Sequence, residues 1–426
     1  MIKSLIQKAK HTCTKLASQK LARNIGWLTA AEFISRFGRI IAAIILARQL
    51  DAVAFGIAAI ALTIFEVTRV FTENGIGAAV VRAEKKDFHK VANTAYRLMW
   101  IVCLVLAAVQ IGAGVIVEMV LPGRDAGAMV AFLGIVFLLM PFGVMHAYCL
   151  LRAERMKELA AISTAQVAAD HVLTAVLAIC GFGAWAIVLP KLLTAPIWLL
   201  GMLRTKAWTR DREAGFAPIG GILKFSMPVL GSELMCAFRD QLDKFIVSFT
   251  LGVEALGLYY FAFNAGLGVS TALNRAFSNA VYPHLCAAAD RTIAYRKAIV
   301  NLGLPFALLY ALQAAMALYY VPIVFGAGWA VAAPLVAILC LGGPARLMVD
   351  AARMKARADG RSGLDFQISL GLSASVLIPF ALFSSHGLFT VAAISVATAS
   401  AFAIAITQIS LTKIGTHKPS TLGANS

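Results

Sequence analysis

Glu32, Arg36 and Arg39 stand at i, i+4 and i+7, and Glu66, Arg69 and Glu73 at i, i+3 and i+7. Each set therefore falls on one face of a helix. Farther on, Glu233, Arg239, Asp240, Asp243 and Lys244 crowd one apolar run; Arg239 and Asp243 are four apart, as are Asp240 and Lys244. Arg275 follows, with Asn274 and Asn279 beside it and no acid in its run. Ionisable groups in stretches apolar enough to cross a bilayer are costly, and they face a bundle interior or a hydrated cavity. Two chemistries fit. In one, these acids and bases, equal in number, are internal ion pairs that hold a bundle together. In the other, Arg36, Arg39, Arg69, Arg239, Lys244 and Arg275 include the groups that meet an anionic head; the planar guanidinium fork suits a pyrophosphate. Glu32, Glu66, Glu73, Glu233, Asp240 and Asp243 then serve as counter-charges or ion-coupling groups.

Asp170 and His171 lie midway along another apolar run. A carboxylate beside an imidazole can carry protons in a gradient-coupled carrier, or be a buried hydrogen-bonded pair. Consecutive residues point about 100° apart on a helix, which weakens the pair reading. Lys191, bracketed by Pro190 and Pro196, either lines a broken helix or snorkels to an interface.

Nothing in the chain is spaced for bond-making chemistry. The seven histidines form no His-Glu-x-x-His, and the seven cysteines show neither Cys-x-x-Cys nor zinc spacing. There is no phosphate-binding glycine loop and no nucleophile elbow. The expectation is a transporter without catalytic residues, metal or cofactor, its cysteines serving as small buried hydrophobes.

The elements that position these residues follow from composition. Of 426 residues, 60% are hydrophobic and 14% charged, and the mean hydropathy is +0.81. That is the profile of an all-α polytopic membrane protein. Spans are expected at about 25–47, 54–81, 95–117, 126–150, 160–180, 184–204, 225–250, 255–283, 298–320, 328–345, 366–385 and 388–412. The last four spans hold no charged residue and read as lipid-facing or dry.

The net charge of +17 could suggest nucleic acid. It is better explained by alternate loops that carry Arg82–Arg97, Arg152–Lys157, Arg204–Lys224, Arg291–Lys297 and Arg346–Arg361, while the intervening ones hold only Arg48 and Arg124. Positive-inside bias puts both termini in the cytoplasm and leaves no role for nucleic acid.

Superposing Glu233 on Glu32 also brings Phe238 onto Phe37, Leu251 onto Leu50 and Gly257 onto Gly56. The fold expected is thus two pseudo-two-fold-related six-helix lobes around a central cavity. The organisation reads as a basic amphipathic arm (1–24), an N-terminal lobe (25–204), a cytoplasmic linker (205–224) and a C-terminal lobe with a short tail (225–426).

Four stretches carry a family likeness. Leu50-Asp-Ala-Val-Ala-Phe-Gly56 resembles the Leu-Gly-x-x-x-Phe/Tyr-Gly turn of Wzx-like O-antigen and exopolysaccharide flippases, with Asp51 where glycine is usual. Leu150–Met156 resembles their basic loop after the fourth helix. Gly181-Phe-Gly-Ala-Trp-Ala-Ile-Val188 is similar to their Gly-x-Gly-x-Trp turn. Asp243-Lys-Phe-Ile, Leu251–Tyr259 and Tyr282-Pro283 resemble the signature of their second half. The resemblance implies the superfamily of multidrug/toxin exporters, oligosaccharide-lipid flippases and polysaccharide transporters. It implies an undecaprenyl-diphosphate-linked oligosaccharide as substrate, moved across the bacterial inner membrane by alternating access, with an ion gradient as energy source. Polysaccharide polymerase and chain-length machinery would be its partners.

A multidrug antiporter of that superfamily is the nearest rival, although it would favour acids over arginines in its pocket. A membrane polymerase or acyltransferase would require a larger outer loop than Gly181–Ala184 or Ser384–Leu388 supplies.

Overall fold

A computed structural model of the chain describes residues 38–412 apart from 74, 154, 212, 289 and 360, and leaves out some side chains within helices, chiefly in 228–240 and 267–287. The described residues form helices joined by short turns, with one longer non-helical stretch at 205–218. In order they are α1 (38–49), α2 (Ala52–Glu73), α3 (Gly75–Arg82), α4 (Phe88–Val120), α5 (Ala126–Arg152), α6 (Met156–Ile179), α7 (Trp185–Leu193) and α8 (Ala195–Arg204). Then come α9 (Ile219–Ala287), α10 (Arg291–Ala298), α11 (Leu304–Phe325), α12 (Ala333–Ala358), α13 (Ser362–Phe383) and α14 (Leu388–Leu411). Among the described residues, ten stretches are long and apolar enough to cross a membrane. Large apolar side chains such as Ile116, Met119, Leu308 and Ile323 are exposed on them, as expected where the solvent is lipid. Of the cysteines described, Cys103, Cys149 and Cys340 are buried, but Cys180 is exposed at the end of α6.

The chain divides into two compact units, Met1–Phe245 and Ile246–Ser426. The spine of the first is the antiparallel pair α4 and α5. A Cβ on Gly114 would lie 2.6 Å from the Gly127 carbonyl oxygen, and one on Gly127 2.3 Å from that of Gly114. Only glycine lets these backbones touch, the usual way membrane helices gain packing without a hydrophobic drive. Glu118 closes the turn by accepting from the N–H groups of Gly123 (3.3 Å) and Gly127 (3.2 Å).

α5 also fixes α2 and α3. Tyr148 crosses Gly77 and donates to the Thr72 carbonyl (2.7 Å). One turn on, Arg152 donates to the carbonyls of Val80 (3.1 Å) and Val81 (2.9 Å). Those carbonyls belong to the last turn of α3 and have no partner within the helix.

The segment 205–218 is a strap laid over the base of α4 and α5. Asn93 donates to the carbonyls of Asp211 (2.6 Å) and Gly215 (3.0 Å), while the Ala217 N–H reaches the Thr94 hydroxyl (2.9 Å). Trp208 packs on Tyr96 and His146, and Arg97 lies over the Phe216 ring at 4.2 Å.

α9 runs helically except at Gly252, where φ 86° and ψ 179° turn the chain between its two arms. In the second unit, α12 is central. Tyr310 lies on Gly343, and Phe402 on Gly371. The stretch expected to span at 328–345 starts in a 3-10 turn (Ala327–Ala332) and runs into this longer helix, which continues to Ala358 through Arg346, Asp350, Arg353, Lys355 and Arg357. Partners hold that charged extension in place. Asp365 accepts from Arg353 (2.8 Å) and Arg357 (2.6 Å), and Lys355 donates to the Ser410 carbonyl.

Candidate functional site

Asp51 stands where the family turn carries glycine, and its carboxylate accepts from the Ala54 N–H at 2.8 Å. It thus caps α2 at its positive end. The face it starts carries Glu66 and Arg69, joined at 2.9 Å and each about 40% exposed. The hydroxyls of Thr68 and Thr72 turn back on carbonyls of their own helix at 2.7 Å. Among the described side chains, Glu66 and Arg69 are the charged groups on this face.

The second cluster depends on the Gly181–Ala184 turn. Gly181 (φ 81°) and Gly183 (φ 56°) take left-handed conformations that a side chain would oppose. α7 therefore doubles back along α6, and Lys191 returns to the level of Asp170. Lys191 Nζ donates to Asp170 Oδ2 at 2.6 Å, with the aspartate side chain only 10% exposed and the lysine 32%. Asp170 Oδ1 is buried and has no hydrogen-bond partner among the described residues. The helix carrying Lys191 is interrupted at Thr194, the junction of α7 and α8, whose hydroxyl donates to the Pro190 carbonyl at 2.8 Å. Pro196 has no N–H to continue the ladder. His171 faces elsewhere: its ring lies against Gly38 of α1, where a Cβ would meet Cδ2 at 3.1 Å. Asp170 and His171 thus serve different neighbours, as their angular separation on one helix requires.

Asp243 and Lys244 are both buried in α9. Asp243 Oδ1 accepts from the backbone N–H of Lys244 at 2.8 Å and lies 3.5 Å from its Nζ. Each has further interactions besides this one. Arg39 is exposed on α1. Glu32 and Arg36 lie outside the described residues, as do the side chains of Glu73, Glu233, Arg239, Asp240 and Arg275.

The structure therefore brings Glu66 to Arg69, Asp243 to Lys244 and Asp170 to Lys191. The last contact joins two residues the sequence had placed separately; the paired glycines of the turn were the signal that could have joined them. Among the described residues, no group of three His, Cys, Asp or Glu side chains is placed to hold a metal. What these clusters can do is present a fixed cation to an anion, or exchange a proton or ion at a carboxylate.

Comparison with known proteins adds a family. A sequence profile described as "Polysaccharide biosynthesis protein" matches residues 45–334. The succinoglycan biosynthesis transport protein ExoT of Rhizobium meliloti (strain 1021) is 25% identical over 246 residues, 57% of this chain and 49% of that protein. The lipopolysaccharide biosynthesis protein WzxC of Escherichia coli (strain K12) is 21% identical over 333 residues, 76% of this chain and 67% of that one. The match thus spans about half of the first relative and two thirds of the second. Among solved structures, the lipid II flippase MurJ in an inward closed conformation superposes with a TM-score of 0.73 at 12% identity, covering 89% of this chain and 86% of that one. An inward-facing multidrug resistance MATE transporter of the MOP superfamily gives 0.58 at 16% identity, covering 90% and 92%. At such identities these two establish the fold: the two-lobed helical architecture of that superfamily.

Proposed function

This chain belongs to the polysaccharide biosynthesis protein family, and from that premise we propose that it moves an undecaprenyl-diphosphate-linked oligosaccharide across the bacterial cytoplasmic membrane. Charged side chains within apolar, membrane-length helices, on α2, α6, α7 and α9, are the observation that carries this reading. The glycan and diphosphate enter a polar interior while the polyprenyl chain stays in lipid. Arg36, Arg39, Arg69, Arg239, Lys244 and Arg275 are the candidate diphosphate contacts, and the neighbouring carboxylates balance them or couple transport to an ion gradient. The basic loops support a topology with both termini on the cytoplasmic side.

The test is a deletion strain. It accumulates lipid-linked repeat units on the cytoplasmic leaflet and loses surface polysaccharide. The wild-type gene restores export, and Arg275→Ala, present at normal level, does not. Unchanged surface glycan with altered drug resistance would instead assign the chain to drug export.

A further inference from the structure

We propose that Arg97, with the strap laid beside it, forms a binding site for the headgroup of an anionic phospholipid whose acyl chains lie along the exposed face of α4. The inference goes beyond the export reading and requires only that this chain spans a bilayer.

The level of the site comes from α4 itself. Between Arg97 and Glu118 the helix carries no charged residue. Those twenty positions, 98–117, rise about 30 Å, which is the thickness of a bilayer's hydrocarbon core. Arg97 therefore stands where α4 enters the headgroup region.

Its face points out of the protein. Arg97 is exposed, and so are Ile101, Leu104 and Val105, which follow it by four, seven and eight residues. That spacing is one stripe of a helix, with a cation at its edge and apolar side chains beyond. A phospholipid matches that order, phosphate first and acyl chain after.

The strap completes the arrangement. Asn93 and Thr94 tie it to α4 one turn before Arg97. From it comes Phe216, whose ring lies 4.2 Å from the Arg97 guanidinium. Stacking fixes the planar fork and leaves its N–H donors unused. Arg210 of the strap lies over the Tyr96 ring at 5.8 Å, and Tyr96 packs on Trp100 and Trp208. Tyrosine and tryptophan gather in this way at headgroup level.

What distinguishes these arginines is that nearby charges are already engaged. Lys86 pairs with Glu84 at 3.1 Å. The Asp211 carboxylate accepts from the N–H groups of Glu213 (3.1 Å) and Ala214 (3.2 Å), with His89 at 3.9 Å. Neither Arg97 nor Arg210 makes an ion pair with a described residue. A guanidinium with free donors takes a phosphate through two hydrogen bonds, and basic groups at a membrane surface favour anionic lipids. A soluble phosphate would meet the same donors but gain nothing from the apolar stripe, so the occupant is a lipid.

Native mass spectrometry of the full-length protein, released from nanodiscs of mixed phosphatidylglycerol and phosphatidylcholine, counts the lipids that stay bound. Wild type should retain phosphatidylglycerol in preference. Arg97→Gln should lower that preference about fivefold, the effect of one basic group at an anionic surface, and leave phosphatidylcholine retention unchanged. Lys86→Gln, which removes an equal charge that is already paired, should match wild type. Replacing acetate by inorganic phosphate at constant ionic strength should displace no phosphatidylglycerol. Four results overturn the proposal: wild-type preference in Arg97→Gln, an equal loss in Lys86→Gln, a parallel loss of both lipids, or displacement by phosphate, which would mark a site for soluble anions. None of these readouts depends on what the protein transports.

Discussion

The phenol of Tyr148 packs against Gly77 and donates to the Thr72 carbonyl at 2.7 Å. Ring and hydroxyl thus both hold the α2–α3 stretch, at Gly77 and at Thr72. Tyr148→Phe keeps the ring and loses the bond, which should cost about 1 kcal/mol. Gly77→Ala should cost more, because its Cβ would come within 2.3 Å of the Tyr148 ring and the tethered ring has nowhere to go. Thermal unfolding of the two variants in detergent checks the order.

Arg152 serves the last turn of α3 through the carbonyls of Val80 and Val81 and lies over the Phe88 ring at 4.8 Å. Arg152→Met should lower stability by about 1–3 kcal/mol, since charged donors make the stronger bonds. Arg152→Lys should recover only part of that, because an ammonium lacks the flat fork that reaches two carbonyls and stacks on a ring. The thermal midpoints should fall in the order wild type, lysine, methionine.

The strap depends on Asn93. Its amide holds the carbonyls of Asp211 and Gly215 together, so Asn93→Leu should loosen the strap without opening the helices beneath. Limited trypsin digestion should then cut faster after Lys206 and Arg210, while the remaining fragments stay protected.

Asp365 joins α13 to the overrun of α12 by receiving both Arg353 and Arg357. The Arg353–Asp365 contact is about five-sixths buried, so Asp365→Asn should cost about 1.5–3 kcal/mol, as for a lost hydrogen bond to a charged group. The effect should survive high salt, which screens exposed pairs far more than buried ones. Unfolding midpoints measured at low and high salt test both statements.

How far the sequence could be read depended on whether a residue's partner was close by in sequence. The Glu66–Arg69 contact was visible because helix periodicity puts both on one face. The Gly181 and Gly183 turn was visible because such backbone angles demand glycine. Asp170 and Lys191 were both noticed but not joined, because periodicity describes a helix's own faces and not what a neighbouring helix brings up to them. Asp51 looked like a departure from its turn; the structure shows a helix cap, in which the short carboxylate supplies a side-chain acceptor that glycine lacks. Hydropathy ended the α12 span before Arg346, since it reports solvent preference, while the alanine-rich stretch to Ala358 kept its helical backbone.

Gly252 has open space around its Cα, with no atom within 4 Å of where a Cβ would go. Its torsions, φ 86° and ψ 179°, fall where only glycine is comfortable. A saturation library should therefore treat this position differently from crowded Gly77 or Gly114. There the penalty should grow with side-chain volume, whereas at Gly252 alanine and tryptophan should fare almost equally badly.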